Sequence, residues 1–207
     1  MKIIVVKLAE KVINLRKTEE FSFDYSEEIK QSKKGFWGFV YEWIDSLMFA
    51  VLFILIIFTF LVRLVGVNGD SMNPTLKNGD WLAVQSVNTT VERGDIVIIT
   101  QPNALGKPLV KRVIAKGGDE IDIDFFDHKV TVNGEVLDEP YIAEPTSLMG
   151  NMVYPLTVPE GTVFVMGDNR NDSTDSREKY IGFIDEDYIL GVAKFRLLPF
   201  NNFGSVA

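Results

Sequence analysis

Sixteen consecutive uncharged residues, Leu47 to Val62, limit what this chain can fold into more than any other feature. The run is apolar on every side of a helix, and Arg63 closes it. A helix without a polar face belongs in a large core or in a bilayer. Extended to Ile44 and Val65, the span would be roughly 30 Å long as a helix, which matches the hydrocarbon thickness of a membrane. The residues leading into it are aromatic (Phe36, Trp37, Phe39, Tyr41, Trp43) and suit the headgroup layer. Lys30, Lys33 and Lys34 precede the span, against Arg63 alone at its far end. The positive-inside rule therefore puts the N-terminus in the cytoplasm and the chain from Gly66 onward outside. The expected organisation is a tail and juxtamembrane segment over 1–43, a transmembrane helix over 44–65 and one extracytoplasmic domain over 66–207. Residues 1–34 read as a cytoplasmic tail, since the apolar start Ile3–Val6 is too short for a secretory signal. No later apolar run is long enough for a second span.

Composition narrows what the outer domain can be. The net charge is −8, and residues 64–207 carry 21 acidic against 12 basic side chains, which excludes nucleic acid as a partner. There is no cysteine, hence no disulfide, thiol nucleophile or thiolate metal site. The domain reads as mainly β. Strands are expected at Trp81–Val84, Asp95–Thr100, Leu109–Ala115 and Glu120–Asp124, the last alternating polar and apolar as a half-buried strand does. Lys129 to Leu137 is a hairpin, because Asn133-Gly134 supplies the positive φ values of a tight turn. Thr162–Met166 and Gly191–Leu198 are further strands around a loop-rich stretch with four prolines. Short strands at this spacing suggest an antiparallel, partly closed β domain.

Three stretches carry chemistry. Gly69-Asp70-Ser71-Met72-Asn73-Pro74-Thr75-Leu76 sets one serine among turn-forming residues just beyond the span. Gly69 is expected to let another backbone come close, and Pro74 to keep a helix from running through the site. The serine is either a nucleophile or part of an ordinary surface turn. A nucleophile needs a base, and His128, the only histidine, sits among charged residues where a solvated loop histidine would. Lys111 is the alternative, flanked by apolar residues in Pro108-Leu109-Val110-Lys111-Arg112-Val113. A lysine facing a core loses its charge more readily and can act as a base; one facing solvent, with Arg112 turned inward, cannot. The third stretch, Met166 to Arg177, is a polar loop after a buried strand. It is surface, or a hydrogen-bonded platform, or a Ca²⁺ loop; the spacing lacks the EF-hand pattern, so no metal ligand set is assigned.

Together these stretches resemble the bacterial type I signal peptidases, the membrane-anchored Ser-Lys proteases, and among them the short Gram-positive-like type. The resemblance rests on Gly69 to Thr75, on Arg93-Gly94-Asp95-Ile96-Val97, on Val110 to Ile114 with Gly117-Gly118-Asp119-Glu120, and on Gly167-Asp168-Asn169-Arg170 through Ser173, Asp175-Ser176-Arg177. It implies Ser71 as nucleophile and Lys111 as general base. It implies that Ser173 hydrogen-bonds the lysine, and that Asp175, Arg177 and Arg112 form a charged network around it, with Asp175 neutralising Arg112. Gly69, Asp70 and Met72 would line the oxyanion and substrate approach. Gly69 stands where some members have a serine whose hydroxyl serves the oxyanion, so the Ser71 N–H must carry more there. The implied fold is a mainly antiparallel β domain with a hydrophobic surface that approaches the membrane. The implied substrates are signal peptides of secretory preproteins, with the bilayer and the export machinery as surroundings and no cofactor. The alternative is an anchored protein of the same fold that is silent or differently specific.

Overall fold

The computed structural model describes residues 36–60, 62–87, 90–102 and 105–206. The tail over 1–34, with its orienting lysines, lies outside the described residues. Helix α1 (Phe36–Phe60) is 25 residues long, and its stretch Gly38–Ile56 is long and apolar enough to cross a membrane. From Tyr41 to Ile56 every side chain is exposed.

The helix differs from the expected span at both ends. The aromatic residues read as a flanking belt are themselves helical from Phe36. At the other end Val62–Gly66 is not helix but strand β1, paired antiparallel along its whole length with β2 (Trp81–Gln85), from Val62↔Gln85 to Gly66↔Trp81. Apolar composition reads the same in either structure. The ladder offered by β2 and the β-branched Val62 and Val65 decide for the strand. Arg63, placed by the sequence at the far end of the span, is an exposed strand residue.

The β region has two sheets, and every strand pairing in them is antiparallel. Its elements are β3 (Ile96–Ile99), β4 (Leu109–Lys116), β5 (Glu120–Asp124), β6 (Lys129–Val132), β7 (Glu135–Val136), β8 (Leu156–Thr157), β9 (Thr162–Met166), β10 (Ile184–Asp185), β11 (Ile189–Leu198) and β12 (Gly204–Ser205). The larger sheet runs β1-β2-β11-β3-β4-β9-β10, with β12 also on β11; the smaller runs β7-β6-β5-β8. The expected hairpin is β6–β7, with Asn133 at φ 53° and Gly134 at φ 81°. β1, β8, β10 and β12 were not foreseen.

Three apolar clusters hold these sheets. Val97, Ile99, Leu109, Val113 and Val192 pack on one side of the larger sheet. Leu82, Val84, Ile96, Ile98 and Ala193 pack on the other, together with Val67, Met72 and Leu76 of the β1–β2 connection. Ile121, Ile123, Val130 and Val132 of the smaller sheet close over Ile114, Phe164 and Met166. The second cluster matters most for the site, because it seats the serine-bearing turn on the sheet.

Candidate active site

Ser71 lies in the connection from β1 to β2, and the turn around it is fixed at several points. Met72 and Leu76 are buried, and the Leu76 N–H donates to the Met72 carbonyl across 2.9 Å. The Asn73 N–H donates to the Asp70 carbonyl across 3.0 Å. From the opposite loop, Asn169 donates its backbone N–H to the Ser71 carbonyl (3.0 Å) and its amide nitrogen to the Asp70 carbonyl (3.1 Å). Gly69 has φ +108°, a conformation that favours glycine. An added Cβ there would meet nothing within 4 Å, so the expected close approach is not the reason for this glycine. The close approach is at Gly167, where a Cβ would collide with the Ser71 carbonyl oxygen and the Ser173 side chain.

Lys111 is brought to Ser71 from β4. Its Nζ is 2.6 Å from the Ser71 Oγ, and the residue is only 3 % exposed. Burial lowers its pKa from 10.5 to about 8. The Asp175 charge works against that shift, while Arg177 and Lys107 add to it. The alternative of a solvent-facing Lys111 does not hold, nor does a choice between Lys111 and Arg112. Both are buried.

The charged network is wired differently from expectation. Arg112 is neutralised not by Asp175 but by Asp168, through a two-pronged pair of 2.8 and 2.7 Å. Its third nitrogen donates to the Gly94 carbonyl (2.7 Å), and its guanidinium lies 4.1 Å from the centre of the Tyr141 ring. Asp168 accepts a further bond from the Thr75 hydroxyl, so the carboxylate gripping the neighbour of Lys111 also grips the turn that carries Ser71. Asp175 pairs with Arg177 (2.8 and 2.9 Å) and accepts from the Gly167 N–H (3.0 Å). Burial opposes the Asp175 charge, but Arg177 and these bonds outweigh it and hold the carboxyl below its usual range.

A third pair, Arg170 with Glu139 (2.9 and 2.5 Å), ties the loop to the 138–146 segment. Asp168, Arg170, Glu139 and Tyr141 carried no functional reading from sequence. The density of charge in Gly167–Arg177 was the available signal, but it does not say which carboxylate meets which arginine.

Ser173 does not hydrogen-bond Lys111. Its Oγ is buried and makes no hydrogen bond of good geometry, though it lies near enough to the Asp175 carboxylate to favour its charge. His128 is away from the serine. Its Nδ1 is 3.2 Å from both the Thr146 carbonyl oxygen and the Ser147 Oγ, a brace for the 144–148 loop.

A cavity of about 470 Å³ opens on the pair. Val65, Val67, Ile98 and Val110 give it apolar walls, and Gly69, Asp70, Ser71, Met72 and Lys111 lie along it. Met72 thus both lines the cavity and anchors the turn in the core. β9 pairs with β4 only from Arg112 onward, so Leu109–Lys111 has no ladder partner on that side among the described residues. An apolar cleft beside an open strand edge, with a hydroxyl and a neutralisable amine at its floor, suits attack on the backbone of an extended peptide.

Residues 40–198 match the family model described as signal peptidase, peptidase S26. The chain is 37 % identical over 195 residues to a protein named signal peptidase I from Bacillus amyloliquefaciens, covering 89 % of this chain and 97 % of that one. It is 41 % identical over 171 residues to signal peptidase I T of Bacillus subtilis strain 168, covering 77 % and 86 %. Among solved structures, a signal peptidase I from Enterococcus faecalis V583 is 32 % identical, with a TM-score of 0.43 over 50 % of this chain and 97 % of that one.

Proposed function

The chain belongs to the peptidase S26 family of signal peptidases, and from that premise we propose that it is a membrane-anchored endopeptidase that removes N-terminal signal peptides from exported preproteins by a Ser71–Lys111 dyad. The observation that carries the dyad is the 2.6 Å contact between the Ser71 hydroxyl and a buried amine whose pKa falls to about 8. Near that pH a substantial fraction of Lys111 is neutral, and its lone pair accepts the Ser71 O–H. As the hydroxyl oxygen bonds to the scissile carbonyl carbon, its proton passes to Nζ. The carbonyl oxygen gains negative charge, and the Ser71 N–H, which donates no hydrogen bond among the described residues, is the backbone donor available to it. Gly69 adds no side-chain donor. Collapse of the intermediate breaks the C–N bond, and Lys111 returns the proton to the leaving amine. Water, deprotonated by the same amine, then releases Ser71 from the ester.

The anchor reading rests on the exposed apolar stretch Gly38–Ile56. β1 begins two residues after α1 ends, so the site-bearing region starts at the membrane surface. Leu64, Trp81, Phe195, Leu198 and Phe200 of that region are exposed apolar residues, suited to a lipid surface. With the N-terminus cytoplasmic, the site faces the side where the export machinery delivers its substrates. Enzyme and preprotein then share one surface, which raises their effective concentration.

The test is turnover of a signal-peptide-bearing preprotein by the full chain in lipid vesicles. Ser71→Ala and Lys111→Met should each remove cleavage while leaving the protein folded and membrane-bound. Undiminished cleavage by either variant overturns the dyad. Failure of the wild type to cleave identifies a silent or differently specific member.

A further inference from the structure

Nine strands, β2 to β10, separate Arg196 from the serine in sequence, yet it holds the serine's turn. Its Nη1 donates to the Thr75 carbonyl (2.9 Å) and to the Asp80 carboxylate (3.0 Å), and its Nε donates to the Asn202 carbonyl (2.7 Å). Asp80 is buried, and the same carboxylate oxygen accepts the Lys77 N–H across 3.0 Å. The Asn78 side chain in that turn accepts the Gly69 N–H (3.1 Å). One guanidinium therefore reaches both the residue four positions after the nucleophile and the turn that ties down the residue two before it.

The strand is shaped to aim this side chain. Along β11 the register with β2 runs Val192↔Gln85, Ala193↔Val84, then slips so that Phe195 faces Ala83 and Arg196 faces Leu82. Val84 and Leu82 both point into the cluster that seats Met72 and Leu76. Strict alternation from the buried Ala193 would turn Arg196 to the opposite face. The extra residue at Lys194 flips it back toward the turn, and a second slip follows directly, between Arg196 and Leu198.

Thr75 is consequently gripped from two directions. Its carbonyl is held by Arg196 and its hydroxyl by Asp168, which in turn pairs with Arg112 beside Lys111. We infer that Arg196 is a positioning residue: acting through the Thr75 carbonyl and Asp80, it sets the distance between the Ser71 Oγ and the Lys111 Nζ. This inference rests on the dyad reading above. Losing the grip would let the turn drift from β4. A displacement of about 1 Å at a reacting atom costs on the order of 100-fold in rate. Drift would also admit water to Lys111. The charged groups that act on Lys111, Asp175, Arg177 and Asp168 from the 167–177 loop and Lys107 ahead of β4, stay in place, so the loss of burial would dominate.

The experiment compares Arg196→Leu and the milder Arg196→Lys with Lys194→Met, which removes a cation from the same strand that pairs instead with Asp95. Two quantities are read on the full chain in detergent micelles: kcat and KM per folded molecule, and the titration midpoint of Lys111 by NMR of ¹³Cε-labelled lysine, assigned with Lys111→Met. Arg196→Leu should lower kcat about 100-fold with KM nearly unchanged, and move the Lys111 midpoint upward. Arg196→Lys, which can meet one acceptor but not all three, should fall between Arg196→Leu and the wild type in both readouts, and Lys194→Met should match the wild type. If Arg196→Leu does not fold, the Arg196→Lys values decide alone. Wild-type kcat and an unmoved midpoint in a folded Arg196 variant overturn the inference, as does an equal effect of Lys194→Met. The lysine titration needs no substrate, so it reads the clamp even if signal peptides prove not to be cleaved.

Discussion

Lys111 and Arg112 are neighbours on one strand, both cationic and both buried, and their surroundings treat them in opposite ways. Arg112 meets a carboxylate with two prongs, a carbonyl with a third nitrogen, and an aromatic face. Its positive charge is matched in full. Lys111 meets a neutral hydroxyl, and the strongest acidic influence on it, Asp175, already answers to Arg177. Burial therefore acts on Lys111 as a net penalty for charge, and the amine is driven toward its neutral form. Taking a cation out of water does not by itself decide its protonation state; the partner does. One strand thus carries, at consecutive positions, a cation whose charge is matched and an amine driven toward neutrality.

The largest effect should come from making the two alike. Lys111→Arg keeps the charge and the reach but cannot give up a proton. Its cleavage rate should fall about 10⁴-fold or more at every pH, as far as Lys111→Met falls. Residual activity that rises with pH in the arginine variant would break the comparison.

Removing the match on the other side should damage stability. Asp168→Ala strands Arg112 in the interior and frees Thr75. Denaturant unfolding should show a loss of about 3–5 kcal/mol. An Arg112→Leu/Asp168→Leu double variant should lose less than Asp168→Ala, because no charge is left unpaired. The opposite order would mean that the ion pair is not compensated as described.

Stability should also carry the signature of the unmatched lysine. With a native pKa of about 8 and an ordinary value of 10.5, the unfolded chain binds the extra proton between those limits. Stability then rises with pH across that window, and the penalty for charging Lys111 is present in full below it. The shift is worth about 3 kcal/mol. Lys111→Met should remove this rise. Unfolding curves of wild type and variant that stay parallel from pH 7 to 11 would show that Lys111 is not buried as a neutral amine.

The smallest effect belongs to His128, which braces a loop and meets neither partner of the pair. His128→Ala should leave kcat/KM within about twofold, the size expected for a residue outside the chemistry. Inactivity comparable to that of Ser71→Ala would reassign the base.

What the sequence made legible follows the range of the forces involved. Ser71 and Lys111 stand in short segments whose local pattern made them candidates, a rigid turn after an apolar run and a cation among apolar neighbours on a strand, while the roles assigned to them came from the family resemblance. The alternation of Glu120–Asp124 and the Asn133-Gly134 turn are equally local. β1 was hidden because Val62–Gly66 continues the apolar run, and only pairing with β2 makes it a strand. The partnership of Arg112 with Asp168 was hidden because three carboxylates and two arginines lie within eleven residues, Gly167–Arg177, with no period to match them. Tertiary position alone assigns Asp175 to Arg177 and Asp168 to Arg112. The aim of Arg196 depends on a one-residue slip in β11, which no alternation pattern announces.

In this reading the fold keeps Lys111 neutral by leaving its charge unmatched. Direct titration of the Lys111 side chain in the full-length protein tests it, by NMR of ¹³Cε-labelled lysine in micelles with the signal assigned by Lys111→Met. A midpoint near 8 is the result this account requires. A Lys111 midpoint near 10.5 would contradict it.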